Sequence, residues 1–292
     1  MTYVTEENLT DLVLKRWKEI PDPRLQEVMQ AMIKHLHAFV REIEPTNTEW
    51  FTAIDWLTRT GKMSDNKRQE MILFSDVMGV SMLVDAINNR METGATPTTV
   101  EGPFHVADAP EIANGGNMAQ GAPGIPTFVT GTVRSLDGKP VANAMLDLWQ
   151  TDGEGLYESQ KGSEEPWMRG IFHSQADGSY VLRTVAPIAY TIPMDGTVGE
   201  LVSKTKISHM RPAHIHFAVS APGYRQVTTH LFQKGDKFIE TDVVYGVKEA
   251  LITEFKKMPA GKAPNGETVN EPFYLVQYDF ILQKAAKAQA AA

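Results

Sequence analysis

The chain has 292 residues, 22% charged and 42% hydrophobic, with a formal net charge of -8. That is enough for one large domain or two smaller ones with an ample core, and the acidic balance argues against nucleic acid or an anionic membrane as partner, since either calls for a basic face. There are no cysteines, which excludes disulfides, thiolate nucleophiles and thiolate metal sites, so any metal must be held by nitrogen and oxygen. No basic segment followed by an apolar run opens the chain and no stretch approaches membrane-spanning length, so a cytoplasmic location is expected.

The N-terminal region reads as helical. Asp22-Pro23 is an N-cap followed by proline at the first helical position, and Leu25, Val28, Met29, Met32, Ile33, Leu36, Phe39, Val40 and Ile43 recur at helical spacing. Thr46-Asn47-Thr48-Glu49 is a capping box opening a second helix through Trp50, Ile54 and Leu57, which Gly61 closes. A third helix is expected from about Asp65 to Asn89; Met71 to Ile87 is apolar nearly all round, so it should be buried. Asp76 and Asp85 stand out inside it, Asp85 reading as a residue on a solvated seam or a cap. His35 and His37 read as surface or helix-packing residues.

Glycines and prolines punctuate residues 91–127, a connecting segment in which Thr99 to Phe104 should pack against something. From Thr127 the pattern is β: Phe128 to Arg134, a turn at Leu136 to Lys139, Val141 to Gln150, then short strands and turns at regular intervals to Phe273–Leu282. The expected class is α+β, with a helical region over 1–95 and an antiparallel β-sandwich over 96–292.

Within the sandwich, Arg211-Pro212-Ala213-His214-Ile215-His216 opens a strand whose two imidazoles share a face, about 6.5–7 Å apart along the backbone, so both can reach one metal ion. Such a pair can equally be two satisfied histidines. Tyr157 and Tyr190 sit at strand ends, where sites are commonly built, although a lone tyrosine is more often a packing residue. A zinc hydrolase using His214 and His216, or a binding module with structural histidines, stays open on these residues alone.

Taken together, Leu148-Trp149-Gln150 to Tyr157, Ala186-Pro187 to Tyr190, and Arg211 to His216 resemble the intradiol ring-cleaving dioxygenases, and the resemblance spans nearly the whole chain. It implies one non-haem Fe(III) per subunit held by Tyr157, Tyr190, His214 and His216, with an aromatic diol or triol and O2 as substrates. It also implies a homodimer through the N-terminal helices with a phospholipid-binding tunnel between subunits. By the same carry-over Tyr190 leaves the iron to accept a substrate proton while Tyr157 stays bound, and Leu73, Asp76, Val100, Gly102, Pro103, Phe104, Ile192, Pro193 and Val244 line the pocket; Arg211, which begins the ligand strand, reads as stabilising charge on the bound ring, the alternative being a salt bridge at the sandwich edge. Phenolate suits a hard trivalent cation, and a fixed guanidinium beside it is the kind of preorganised charge that counts in catalysis.

The stretch Asp76 to Asp85 and the segment Phe104 to Pro110 are most similar to hydroxyquinol 1,2-dioxygenases, and His230 stands where catechol enzymes usually carry glutamine. Glu101 instead resembles the catechol enzymes. The implied reaction is ring opening of hydroxyquinol between its ortho hydroxyls to maleylacetate, with catechol or chlorocatechol giving cis,cis-muconates as the alternative.

Overall fold

The computed structural model describes residues 3–65, 68–157, 161 and 167–285. The chain divides into two compact units, Met1–Arg59 and Thr60–Ala292. The first holds α1 (Leu9–Arg16), α2 (Pro23–Ile43) and most of α3 (Asn47–Lys62). Asp22 Oδ1 accepts from the backbone N–H of Arg24 at 2.8 Å and of Leu25 at 3.1 Å, so the cap and proline start α2 where the sequence requires. Thr46 and Glu49 close their box at 3.2 and 2.8 Å. Gly61 does not end α3, which continues to Lys62. His37 packs α2 on α1 through Thr10 Oγ1 at 3.0 Å, and His35 is exposed.

In the second unit the single helix expected over residues 65–89 is two, α4 (Glu70–Val77) and α5 (Val80–Asn88). Gly79, left-handed at φ 72°, separates them and caps the second. Hydrophobic periodicity does not register one left-handed residue, which is why the break was illegible. Nor are these helices buried all round: Met71, Ile72, Val80, Leu83, Val84 and Ile87 are exposed. Asp85 lines an open groove, as a residue on a solvated seam should, and pairs there with Lys248 Nζ at 3.2 Å. The start of α4 is pinned by Glu70, which is buried, pairs with Arg68 at 2.9 Å and accepts from Val198 N at 2.9 Å on α6 (Thr197–Ser203).

The strands are β1 (Pro126–Ser135), β2 (Met145–Trp149), β3 (Arg169–His173), β4 (Ser179–Val185), β5 (Tyr190–Thr191), β6 (Met210–Arg211), β7 (His214–Ser220), β8 (Val227–Gln233), β9 (Ile252–Thr253), β10 (Lys256–Met258), β11 (Gly261–Lys262), β12 (Thr268–Val269), β13 (Phe273–Gln277) and β14 (Phe280–Leu282). One sheet runs β3-β2-β7-β8-β9; the other runs β10-β13-β1-β14, with β4 also on β1. The α+β sandwich stands, but its sheets are mixed: β13 and β14 pair parallel to β1, and β9 parallel to β8. Strand direction depends on which distant segments meet, and alternation carries no record of that. The expected last strand is interrupted between Gln277 and Phe280, opposite Gly131, where an added Cβ would stand 1.7 Å from the Tyr278 carbonyl oxygen.

Residue parity divides β7 between core and site. Ile215, Phe217 and Val219 enter the inter-sheet core with Leu146 and Leu148 of β2 and Val129, Leu182, Val276 and Phe280 of the facing sheet. His214, His216 and Ala218 take the other face. The segment before β1 is strapped to the sandwich by Thr99 N to Thr228 O at 2.9 Å and Ile112 N to Ile171 O at 2.8 Å, which carries Val100 to Phe104 to that outer face.

Candidate metal centre

Four side chains converge outside the β2-β7-β8 sheet. His214 Nε2 and His216 Nε2 are 3.1 Å apart. Tyr157 Oη lies 3.1 Å from His216 Nε2, Tyr190 Oη 3.5 Å from His214 Nε2, and the two phenol oxygens 3.4 Å from each other. Donor atoms about 2.1 Å from one ion at tetrahedral or square angles stand about 3.0–3.4 Å apart, so this closed ring of N and O donors fits a single metal ion. His230 offers a third ring nitrogen, the three imidazoles having ligand atoms within 4.8 Å of one another.

Each donor is held from behind. His214 Nδ1 donates to Pro212 O at 2.7 Å, which makes Nε2 the ring nitrogen that carries the lone pair. His216 is paired across β2 with Trp149, whose indole stacks on its ring at 4.7 Å. Tyr157 follows a loop in which Asp152 Oδ1 accepts from Glu154 N at 2.9 Å and Leu156 N at 3.1 Å, and its ring stacks on Phe104 at 4.1 Å. Tyr190 is fixed by the β5–β6 ladder directly opposite Arg211. Burial, then Arg211, holds His214 well below the usual histidine pKa, and burial, then the neighbouring imidazoles, does so for His216; both are therefore in the neutral, ligating form. Burial, then Tyr190, pushes Tyr157 well above the usual phenol, so its ionisation requires a cation in the ring of donors.

Arg211 is almost fully buried beside the donors. Its Nη1 donates to His214 Nε2 at 3.1 Å, its Nη2 to His230 Nδ1 at 3.3 Å and its Nε to Asp242 Oδ1 at 3.2 Å. Burial alone would lower the guanidinium pKa; Asp242, with Tyr190 and Tyr157, outweighs it, and the cation persists. Asp242 also accepts from Gly246 N at 2.9 Å, so one carboxylate holds both the cation and the turn carrying Val244. Sequence reasoning missed Asp242. An aspartate four residues before a glycine is a turn signal, but nothing local ties it to an arginine 31 positions away.

Leu73, Asp76, Val100, Gly102, Pro103, Phe104, Tyr190, Ile192, Pro193, Arg211 and Val244 line one small pocket of about 20 Å³. Its wall is apolar apart from Asp76, Tyr190 and Arg211. Asp76 is 3% exposed, and burial raises its pKa. Gly102, at φ 79°, brings the backbone over His216, where an added Cβ would stand 3.5 Å from Cε1. Glu101 turns away: it lines an outer groove and lies 3.7 Å from His105 Nδ1.

The family described as Dioxygenase matches residues 100–284, and that described as Catechol dioxygenase N terminus matches residues 22–96. The chain belongs to the intradiol dioxygenases. This family is iron-dependent, and membership sets aside the zinc-hydrolase and binding-module readings. The chain is 42% identical over 281 residues to a hydroxyquinol 1,2-dioxygenase of Nocardioides simplex, covering 96% of each chain. With that of Rhizobium sp. (strain MTP-10005) it shares 44% identity over 285 residues, covering 97% of each. Hydroxyquinol 1,2-dioxygenase from Pseudomonas putida DLL-E4 superposes with a TM-score of 0.89 at 41% identity, covering 96% of this chain and 99% of that one. Catechol 1,2-dioxygenase from Pseudomonas arvilla C-1 gives 0.85 at 29% identity, over 98% and 94%. Among the described residues, no helix is long and apolar enough to cross a membrane.

Proposed function

We propose that this intradiol dioxygenase opens hydroxyquinol between its ortho hydroxyls with O2, placing one oxygen atom on each new carboxyl group and giving maleylacetate. The observation that carries the substrate is Asp76, a buried carboxyl in an otherwise apolar wall of the pocket that also holds Tyr190 and Arg211. A third ring hydroxyl pairs with it, and a ring lacking that hydroxyl leaves it unsatisfied. The identity to hydroxyquinol enzymes supports the same reading.

Tyr157, Tyr190, His214 and His216 would hold one ferric ion per subunit. When bound, the ion supplies the Lewis-acidic redox centre that chelates the ortho diol and makes its ring reactive toward O2. Tyr190 lines the pocket where Tyr157 does not, so its phenolate oxygen is the one placed to take a proton from a substrate hydroxyl. The Arg211 guanidinium, held by Asp242, stabilises negative charge spreading over the ring. Leu73, Ile192, Pro193 and Val244 exclude water, while Gly102 and Pro103 leave room for the ring. The enzyme is cytoplasmic and homodimeric through the helical region 1–95, whose exposed apolar residues, Leu25, Leu36, Phe39 and Val40 among them, suit a partner subunit and phospholipid chains.

The alternative substrate, catechol or a chlorocatechol, rests on the apolar remainder of the wall. Visible spectra of iron-loaded protein without oxygen, before and after each diol, followed by O2 uptake, test both. A tyrosinate–iron band that shifts with hydroxyquinol, and faster uptake on it than on catechol, is expected. Protein that stays colourless with iron would overturn the donor set, and faster turnover of catechol would overturn the substrate.

A further inference from the structure

We propose that Arg68 and Asp195, with Glu70 behind them, form a clamp that sets the width of the substrate pocket and so limits which ring substituents it accepts. The inference rests on the reading of that pocket as the place where the diol binds, and not on which diol is preferred.

The pocket holds about 20 Å³, room for about one water molecule, so the size of ring it takes depends on how firmly its walls are held. One wall is the face of α4 that carries Leu73 and Asp76, within two turns of Glu70. Another is Ile192-Pro193, just ahead of Asp195. Upstream, that segment is anchored by the β5–β6 ladder and by Ile192 N, which donates to His209 O at 3.0 Å. Downstream its anchor is the clamp.

The Arg68 guanidinium stands between two carboxylates. Its Nη1 and Nη2 donate to the two oxygens of Asp195 at 2.8 and 3.0 Å, a two-pronged match that fixes direction as well as distance. Its Nε and Nη2 donate to Glu70 Oε2 at 3.1 and 2.9 Å. The other Glu70 oxygen accepts from Val198 N at 2.9 Å and from Thr197 Oγ1 at 3.4 Å, and Thr197 Oγ1 meets Thr60 Oγ1 at 2.8 Å. Between these contacts lies Gly196, where an added Cβ would collide with both the Glu70 carboxylate and the Arg68 guanidinium, so only glycine lets the backbone come this close. One network therefore ties the first turn of α4 to the end of the Ile192-Pro193 wall, and neither can draw away from the other while it holds.

Burial shows where to cut. The Glu70 side chain is 1% exposed and its loss would threaten the fold, whereas that of Asp195 is 72% exposed and its pair with Arg68 contributes little to stability. The test measures kcat and KM with iron-loaded wild type, Asp195→Ala, Asp195→Glu, Arg68→Lys and Lys204→Ala, on hydroxyquinol, on catechol, and on each ring carrying a chlorine or a methyl group. In Asp195→Ala the KM for the plain ring should rise about threefold with kcat within about twofold, and kcat/KM for the substituted over the plain ring should rise about fivefold, the most that one exposed pair supplies. The visible iron band should not move, because no donor is touched. Asp195→Glu keeps the carboxylate and should return the ratio to within about twofold of wild type, while Arg68→Lys, which lacks the planar fork, should resemble Asp195→Ala. Lys204→Ala breaks another exposed pair, with Glu200 of α6, and should leave the ratio unchanged. A wild type faster on catechol overturns the substrate reading and not this inference, whose ratio is then read on the catechol series. A ratio that stays put in Asp195→Ala, or rises as much in Lys204→Ala, overturns the inference alone.

Discussion

Neutralising Asp242 while Arg211 stays in place should strand a buried guanidinium. The two side chains are 2% and 5% exposed and meet at 3.2 Å. Asp242→Asn keeps the shape and an oxygen able to accept from Gly246 N, so the change removes charge with little loss of backbone bonding. Removing one partner of a buried pair costs about 3–5 kcal/mol, against a total stability of about 5–15 kcal/mol for a domain. The bonds from Arg211 to His214 and His230 go to neutral acceptors, exist in both proteins and offset nothing. We expect about 3 kcal/mol of destabilisation for Asp242→Asn, the low end because the amide still accepts a hydrogen bond. Taking away both charges, Arg211→Met with Asp242→Asn, should return the protein to within about 1.5 kcal/mol of wild type, since an uncharged pair leaves no ion to desolvate. Urea unfolding of metal-free protein, followed by tryptophan fluorescence with matched m-values, measures all of these stabilities. A double variant no more stable than Asp242→Asn, or an Asp242→Asn variant within about 1 kcal/mol of wild type, would refute the claim that this carboxylate stabilises the cation.

Tyr157→Phe keeps the ring stacked on Phe104 but removes a donor oxygen; iron content and the visible band should both fall and turnover drop more than about a hundredfold, with retained colour counting against it. Gly102→Ala forces a Cβ into the left-handed region at φ 79°, costing about 1–2 kcal/mol, and raises KM by narrowing the pocket; an unchanged melting curve would contradict this. The His105 pKa is raised, foremost by its hydrogen bond to Asp147 at 2.9 Å, with burial opposing. A raised folded value means the stabilisation is complete below the unfolded value of about 6.5 and is lost as pH rises through the higher folded one. Melting temperatures of wild type and His105→Gln should therefore differ most at acidic pH and converge in alkali; a gap that widens with pH would reverse the assignment.

The parts of this site legible in the sequence are those written in short range. Parity along β7 put His214 and His216 on one face, and the Asp22-Pro23 and Thr46–Glu49 caps start α2 and α3 where expected. Tyr157 and Tyr190 were legible only through resemblance, because what brings them to the histidines is an aspartate-anchored loop and a two-residue ladder, neither of which has a periodicity. The same carry-over selected the residues that line one pocket, Asp76 among them. What escaped was long-range or single-residue: the Asp242–Arg211 pair, the parallel partners of β1 and the break at Gly79. The apolar face of α4 and α5 misled for a further reason, since apolar character marks a surface as costly to expose without saying that it is covered.

The pairing of β1 with β13 and β14 has a consequence for how the protein is made. The sheet that backs the core is completed by residues 273–282 against residues 126–135, so its central strand waits for nearly 140 intervening residues to be synthesised. Contacts so far apart in sequence slow folding, and until they form β1 presents an unpaired edge. The histidine strand, packed through Ile215 and Phe217 on that unfinished layer, cannot become rigid earlier. Competence to bind the metal should therefore arise late, with the arrival of the closing strand, and a nascent chain stalled short of it is the form most exposed to aggregation.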